Sequence, residues 1–159
     1  MRPRHTLAQP QSVGCTCLRL RKASRRVSQI YDLALEPCGL TVTQYGLLGH
    51  IAALDGIGIG ALAERMVMDA TTLTRNLKPL IAQAFLVLVP DPRDRRARRL
   101  HLTEQGRRRL AKAKPAWQEA QLYLERVLGQ SDGPALNAVL DRVLARLAEQ
   151  PRGALRSAP

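Results

Sequence analysis

Apolar positions recur along most of this chain with a helical period. Between residues 15 and 36, Leu20, Ala23, Val27, Ile30 and Ala34 fall three or four apart, and Pro37 and Gly39 close the stretch. That spacing predicts one amphipathic helix. Thr41 and Gln44 follow as a capping box, in which the Thr hydroxyl accepts a free helix-start N–H and the Gln reaches back. Leu47, Leu48, Ile51 and Leu54 make the buried side of a short second helix, with Leu40 and Tyr45 spaced to staple its start. Residues 55–60, Asp-Gly-Ile-Gly-Ile-Gly, read as a turn. Residues 61–68 predict a third short helix and 69–83 a fourth, opened by Asp69 as its N-cap. Three short helices joined by tight turns over 41–83 are the arithmetic of a helix-turn-helix.

The period then shortens to that of a strand. Residues 85–89 are apolar and rich in valine, and residues 98–103 alternate. The Pro- and Arg-bearing tip between them is too long for a two-residue turn. A hairpin placed after a helix-turn-helix reads as a wing. Thr103 caps a long helix over about 104–128, lined by Leu110, Ala113, Trp117, Ala120, Leu124 and Val127. Pro115 inside it predicts a kink, because proline lacks the N–H that would bond four residues back. Ser131, Gly133 and Pro134 restart a last helix, striped by Leu136, Val139, Leu140, Val143, Leu144 and Leu147.

The expected fold is mainly α with a small β-hairpin wing. Its parts are a loose basic arm (1–14), a first helix (15–38), a winged helix-turn-helix (39–103), C-terminal helices (104–150) and a frayed tail (151–159). The stripes on the first and last helices are long for one small domain to bury alone. A two-fold dimer would bury them.

Charge sharpens the picture. The chain has 159 residues with 25 Lys and Arg against 13 Asp and Glu, a net charge of +12. That excess favours an anionic partner, nucleic acid before a membrane surface. Aromatics make up only 3% of residues, which argues against a single-strand binder that stacks bases on rings. A basic architectural protein that binds nucleic acid without sequence preference is the alternative; it would not need the dimer stripes.

No apolar run approaches the ~18 residues that span a bilayer, and residues 1–14 lack the apolar centre of a signal peptide. The expectation is a cytoplasmic protein without membrane contact. The three cysteines are expected as free thiols. His5, His50 and His101 are far apart, and Cys15-x-Cys17 falls short of zinc spacing. No phosphate-binding glycine loop or nucleophile elbow occurs. Metal, cofactor and enzymatic activity are therefore not expected.

On the 69–83 helix, Leu73, Leu77 and Leu80 recur at four and three and face a core. Thr71, Thr72, Thr74, Arg75 and Lys78 lie elsewhere, several of them on the open face. Threonine methyls can meet thymine methyls, and arginine can grip guanine through two hydrogen bonds. Lys78, a turn later, suits a phosphate. Pro79 removes the bond back to Arg75 and is expected to bend the later half of the helix away from a groove.

Asp91, Arg93, Asp94 and Arg96, followed by Leu100, Leu102, Thr103 and Gly106, resemble the wing signature of the MarR family of bacterial transcriptional regulators. Leu40–Gln44, Leu62–Arg65 and Thr72–Arg75 also fall where that family has similar residues. The resemblance spans roughly residues 15–148. It implies a winged helix held in a homodimer by the first and last helices, which places two recognition helices about one DNA turn apart on a pseudo-palindromic double-stranded operator. It implies a regulator, more often a repressor, with the recognition helix in the major groove and the wing in the minor groove. It makes Arg96 the candidate for minor-groove insertion, held by an ion pair to Asp94, with Arg93 and Arg95 flanking. Arg98 and Arg99 follow on the returning strand, with sides facing opposite ways.

The resemblance also implies release from DNA by a small molecule or by cysteine oxidation. Cys17 resembles the reactive cysteine of the organic-hydroperoxide-sensing branch, and Tyr31 stands where that branch has a tyrosine facing the thiolate across the dimer. A helix dipole favours a thiolate at its N-terminus. Arg21 departs from the branch, which has a second tyrosine there. Cys15 or Cys38 could resolve an oxidised Cys17, within or between chains. The competing signal is a small aromatic or anionic effector, lodged among Tyr31, Tyr45, His50, Trp117 and basic residues of the first helix.

Overall fold

The computed structural model describes residues 15–94 and 97–150. Its elements run α1 (Thr16–Leu35), α2 (Val42–Ala53), β1 (Ile57–Gly58), α3 (Ile59–Arg65), α4 (Ala70–Ala82), β2 (Leu86–Pro90), β3 (Arg98–Leu102), α5 (Glu104–Leu128) and α6 (Asp132–Ala148). Helix α2 starts where its capping box predicts. Thr41 Oγ1 accepts the Gln44 N–H at 3.2 Å, and Gln44 Oε1 accepts the Thr41 N–H at 3.0 Å. Asp32 of α1 accepts a further start donor, the Val42 N–H, at 2.7 Å. That bond ties the first helix to the domain that follows it.

Residues 55–60 are not only a turn. Ile57 and Gly58 form β1, which pairs antiparallel with β3, Ile57 opposite Leu100 and Gly58 opposite Arg99. The sheet therefore has three strands in the order β1-β3-β2 rather than a hairpin's two. A two-residue strand has no period to read; pairing with a distant strand makes it one. Helix α3 consequently begins at Ile59, not Ala61, and ends at Arg65. Gly56, at the bend into β1, has φ +78, a conformation that side chains disfavour.

The core lies between these layers. Leu35, Leu47, Leu48, Ile51, Leu62, Leu73, Leu80, Phe85 and Leu100 are fully enclosed. Each such side chain contributes about 1.5–3 kcal/mol of transfer free energy. The apolar and polar faces read from α4 hold: Leu73, Leu77 and Leu80 are buried.

The long helix α5 packs along α1, and Ala113 and Ala120 are buried on it. It runs unbroken from Glu104 to Leu128 through Pro115, as α4 runs through Pro79. The wing leads into α5 through Thr103. Its hydroxyl donates to the Ala84 carbonyl at 2.6 Å and accepts the Gly106 N–H at 3.0 Å. Its own N–H bonds the Phe85 carbonyl at 3.0 Å. In the signature, Leu100 and Leu102 are thus core, Thr103 is the cap, and Gly106 is the position where α5 crosses the chain at Phe85.

In a single chain, α6 buries little. Leu136, Val139, Leu144 and Leu147 are exposed on it, as are Leu18 and Leu20 on α1 and Val127 on α5. Among the described residues no helix is long and apolar enough to cross a membrane.

Candidate nucleic-acid interface and effector cavity

Asp69 builds the start of α4. Its carboxylate accepts the Thr72 N–H at 2.8 Å on one oxygen and the Thr72 hydroxyl at 2.6 Å on the other. These bonds, the side-chain one foremost, hold the Asp69 carboxyl below the usual carboxylate range. The Thr72 hydroxyl proton is therefore committed to the cap. The Thr74 hydroxyl donates to the Ala70 carbonyl at 2.7 Å, which leaves its methyl and a lone pair for a ligand. Thr71, Thr74, Arg75 and Lys78 are exposed, on the side of α4 away from its buried leucines. Asn76, which the sequence did not single out, is half-buried and spends an amide hydrogen on the Thr72 carbonyl at 2.8 Å.

The wing is braced from its base. Val89 stands opposite Arg99 and Pro90 opposite Arg98 across β2 and β3. Beyond them the Asp91 N–H bonds the Ala97 carbonyl at 3.0 Å, and the Ala97 N–H bonds the Asp94 carbonyl at 2.9 Å. Asp91 accepts the Arg93 N–H at 2.9 Å and Arg99 Nε at 2.7 Å, and these bonds keep its carboxyl low. The two returning arginines face apart as their alternation predicts, Arg98 exposed and Arg99 half-buried. Arg93 and Asp94 are exposed. Arg95 and Arg96 lie outside the described residues. Asp91 and Arg99 were missed as site residues, although Asp91 belongs to the signature itself.

Tyr45, His50 and Trp117 share one cavity of about 720 Å³ beside α2 and α5. Gly46 and Gly49 open its α2 wall, and His50 Nδ1 lies 2.8 Å from the Gly46 carbonyl. Its cations are Arg65, Arg107 and Lys114, from α3 and α5. The sequence pointed instead to the first helix. Burial raises the Tyr45 hydroxyl above its ordinary pKa. Tyr31 is not on this cavity. It is buried, hydrogen-bonds Gln121 and lines a separate crevice among α1, α5 and α6. Burial first, then the Glu125 charge, raises its pKa.

Cys15 and Cys17 are exposed at the start of α1, Cys15 as its N-cap residue. Cys38 is buried past the other end of that helix. Helix α1 rises about 27 Å from Cys17 to its end at Leu35, at ~1.5 Å per residue, and Cys38 lies beyond that end. A disulfide needs Cα atoms within about 7 Å. An intrachain Cys17–Cys38 bond is thus excluded in this fold, and Cys15 is the near thiol.

Helices α3 and α4 with a three-stranded sheet and an arginine-bearing wing define a winged helix-turn-helix protein, with extra helices before and after. The sequence model of the MarR family matches residues 39–97. A structure of the transcriptional regulator MosR of M. tuberculosis in complex with DNA is similar over 86% of this chain and 99% of that one, at 33% identity and a TM-score of 0.75. The transcriptional activatory protein BadR of Rhodopseudomonas palustris is 29% identical over 92 residues, 56% of this chain and 53% of its own length. The transcriptional regulator SarZ of Staphylococcus aureus is 32% identical over 91 residues, 57% of this chain. The match spans 62% of SarZ's own length. The chain belongs to the MarR family.

Proposed function

We propose that this protein is a homodimeric transcriptional regulator that binds a pseudo-palindromic double-stranded DNA operator and is released by a chemical signal. The observation that carries the reading is the exposed face of α4. Thr71, Thr74, Arg75 and Lys78 stand free of the core while Leu73, Leu77 and Leu80 anchor the helix. Arg75 is suited to a guanine edge and Lys78 to phosphate. The wing adds Arg93, and by sequence Arg95 and Arg96, for the narrower groove, with Asp94 as partner to Arg96. That MosR is known in complex with DNA supports the same ligand here.

The exposed leucines and valines of α1, α5 and α6 support the dimer. An apolar surface of this extent is rare on a stable monomer. The family relation and the site argue for a regulator in the cell interior rather than an enzyme.

Two signals have structural support. The cavity holding Tyr45, His50 and Trp117 has a volume suited to a small ligand, and Arg65, Arg107 and Lys114 favour an anion. The Cys15–Cys17 pair is accessible to an oxidant. The cavity is the better supported, because stacking surface and charge converge in it.

Fluorescence anisotropy tests the core reading. Labelled duplex from upstream of the gene should bind more tightly than a scrambled duplex of equal length, and the protein should sediment as a dimer. A monomer that holds both duplexes equally would instead be a non-specific nucleic-acid binder.

A further inference from the structure

We infer that Arg99 and Asp91 form a clamp that positions the wing for DNA, and that Arg99 serves through this clamp rather than by touching DNA. The inference rests on the regulator reading above. Five arginines crowd residues 93–99, and charge alone makes them equivalent. The structure separates Arg99 from the rest. Its Nε donates to Asp91 Oδ2 at 2.7 Å, and its Nη1 donates to the Gly56 carbonyl at 2.8 Å. The other Asp91 oxygen accepts the Arg93 backbone N–H at 2.9 Å.

These bonds form one continuous relay. It begins at the backbone of the bend before β1, crosses the Arg99 guanidinium and the Asp91 carboxylate, and ends on the backbone of the wing tip. The Asp91 side chain is only 12% exposed, so the carboxylate is largely shielded from solvent, while the Arg99 side chain, 40% exposed, stays partly open to it. A guanidinium is needed because its planar fork reaches two acceptors in different directions at once. A lysine ammonium keeps the charge but not the fork. Held this way, the tip presents Arg93 in a fixed orientation, which lowers the ordering cost of binding.

The clamp makes a prediction of opposite sign to simple electrostatics. Asp91→Asn removes an acid from a basic, DNA-facing loop, so long-range attraction to phosphate should rise. A clamp predicts weaker binding instead. Operator affinity of the full-length protein is measured by anisotropy with the upstream duplex and its scrambled control. Asp91→Asn and Arg99→Lys are each expected to weaken upstream-duplex binding about tenfold, the effect of losing a charge-assisted hydrogen bond. Arg98→Lys should leave it unchanged. Amide hydrogen exchange without DNA is the second readout: the Arg93 N–H should exchange faster in Arg99→Lys and in Asp91→Asn.

Wild-type affinity or tighter in Asp91→Asn, or full affinity in Arg99→Lys, overturns the clamp, since a direct phosphate contact tolerates lysine. Unchanged Arg93 exchange in Arg99→Lys overturns it equally, whatever the DNA result. A wild-type protein that holds both duplexes equally overturns the regulator reading itself, a result distinct from either of these.

Discussion

The indole of Trp117 stacks on the ring of Tyr45, with centroids 5.8 Å apart and planes 16° from parallel. Trp117 also meets Tyr31, with centroids 6.3 Å apart and planes tilted by 32°. The three rings join α1, α2 and α5. Trp117 and Tyr45 also form the aromatic wall of the cavity that holds Arg107 and Lys114. A planar anion entering there would touch the indole.

Trp117 is the single tryptophan of the chain, so its fluorescence reports this place alone. Titration with a small aromatic carboxylate such as benzoate should change the emission saturably. The triple variant Arg65→Ala, Arg107→Ala, Lys114→Ala should lose saturation, because the compensating charges are gone. A linear, unsaturable response in the wild type would remove the cavity from the regulator's mechanism.

The start of α4 should be acid-sensitive. The folded protein holds the Asp69 carboxyl below its ordinary range through Thr72. A depressed pKa stabilises the fold above the unfolded carboxylate value of about 3.9. That contribution is lost as pH falls through the lower folded value. Asp69→Ala should therefore lower the melting temperature at pH 7, and the gap from wild type should close on acidification below about pH 4. Melts followed by circular dichroism across pH 3–7 decide it, and a gap independent of pH would mean that the carboxylate charge is irrelevant to the cap.

Gly106 should tolerate no side chain. A Cβ there would fall on the Phe85 carbonyl oxygen, 3.0 Å from its carbon and 3.1 Å from Leu102 Cγ. Backbone cannot give way as a side-chain tip can. Gly106→Ala should cost about 3 kcal/mol or more, at the upper end of overpacking penalties. Chemical denaturation measures this, and a loss under about 1 kcal/mol would show that α5 slides past Phe85 freely.

The thiols should divide into two classes. Cys15 and Cys17 are exposed while Cys38 is buried, its sulfur 4.0 Å from the Lys112 carbonyl. A chromogenic disulfide reagent should titrate two thiols fast and the third only on unfolding. If oxidation is the signal, mild organic peroxide should release wild type but not Cys17→Ser from the upstream duplex. Peroxide that releases both, or neither, assigns the switch elsewhere.

Features carried by short-range spacing were legible in the sequence alone. The capping box of Thr41 and Gln44, the caps at Asp69 and Thr103, and the buried leucines of α4 depend on residues three or four apart, where helix geometry decides the outcome. The wing signature likewise marked Arg93, Asp94 and Gly106. Tertiary structure alone decided what distant segments share. Ile57 and Gly58 became a strand because β3 offered unpaired backbone groups, not through any pattern of their own. Arg99 became a brace because Gly56, 43 positions earlier, presents its carbonyl to the same guanidinium that holds Asp91. The cavity gathers cations from α3 and α5 around Trp117 for the same reason: side-chain period dictates which face of a helix is buried, while only packing dictates what that face meets.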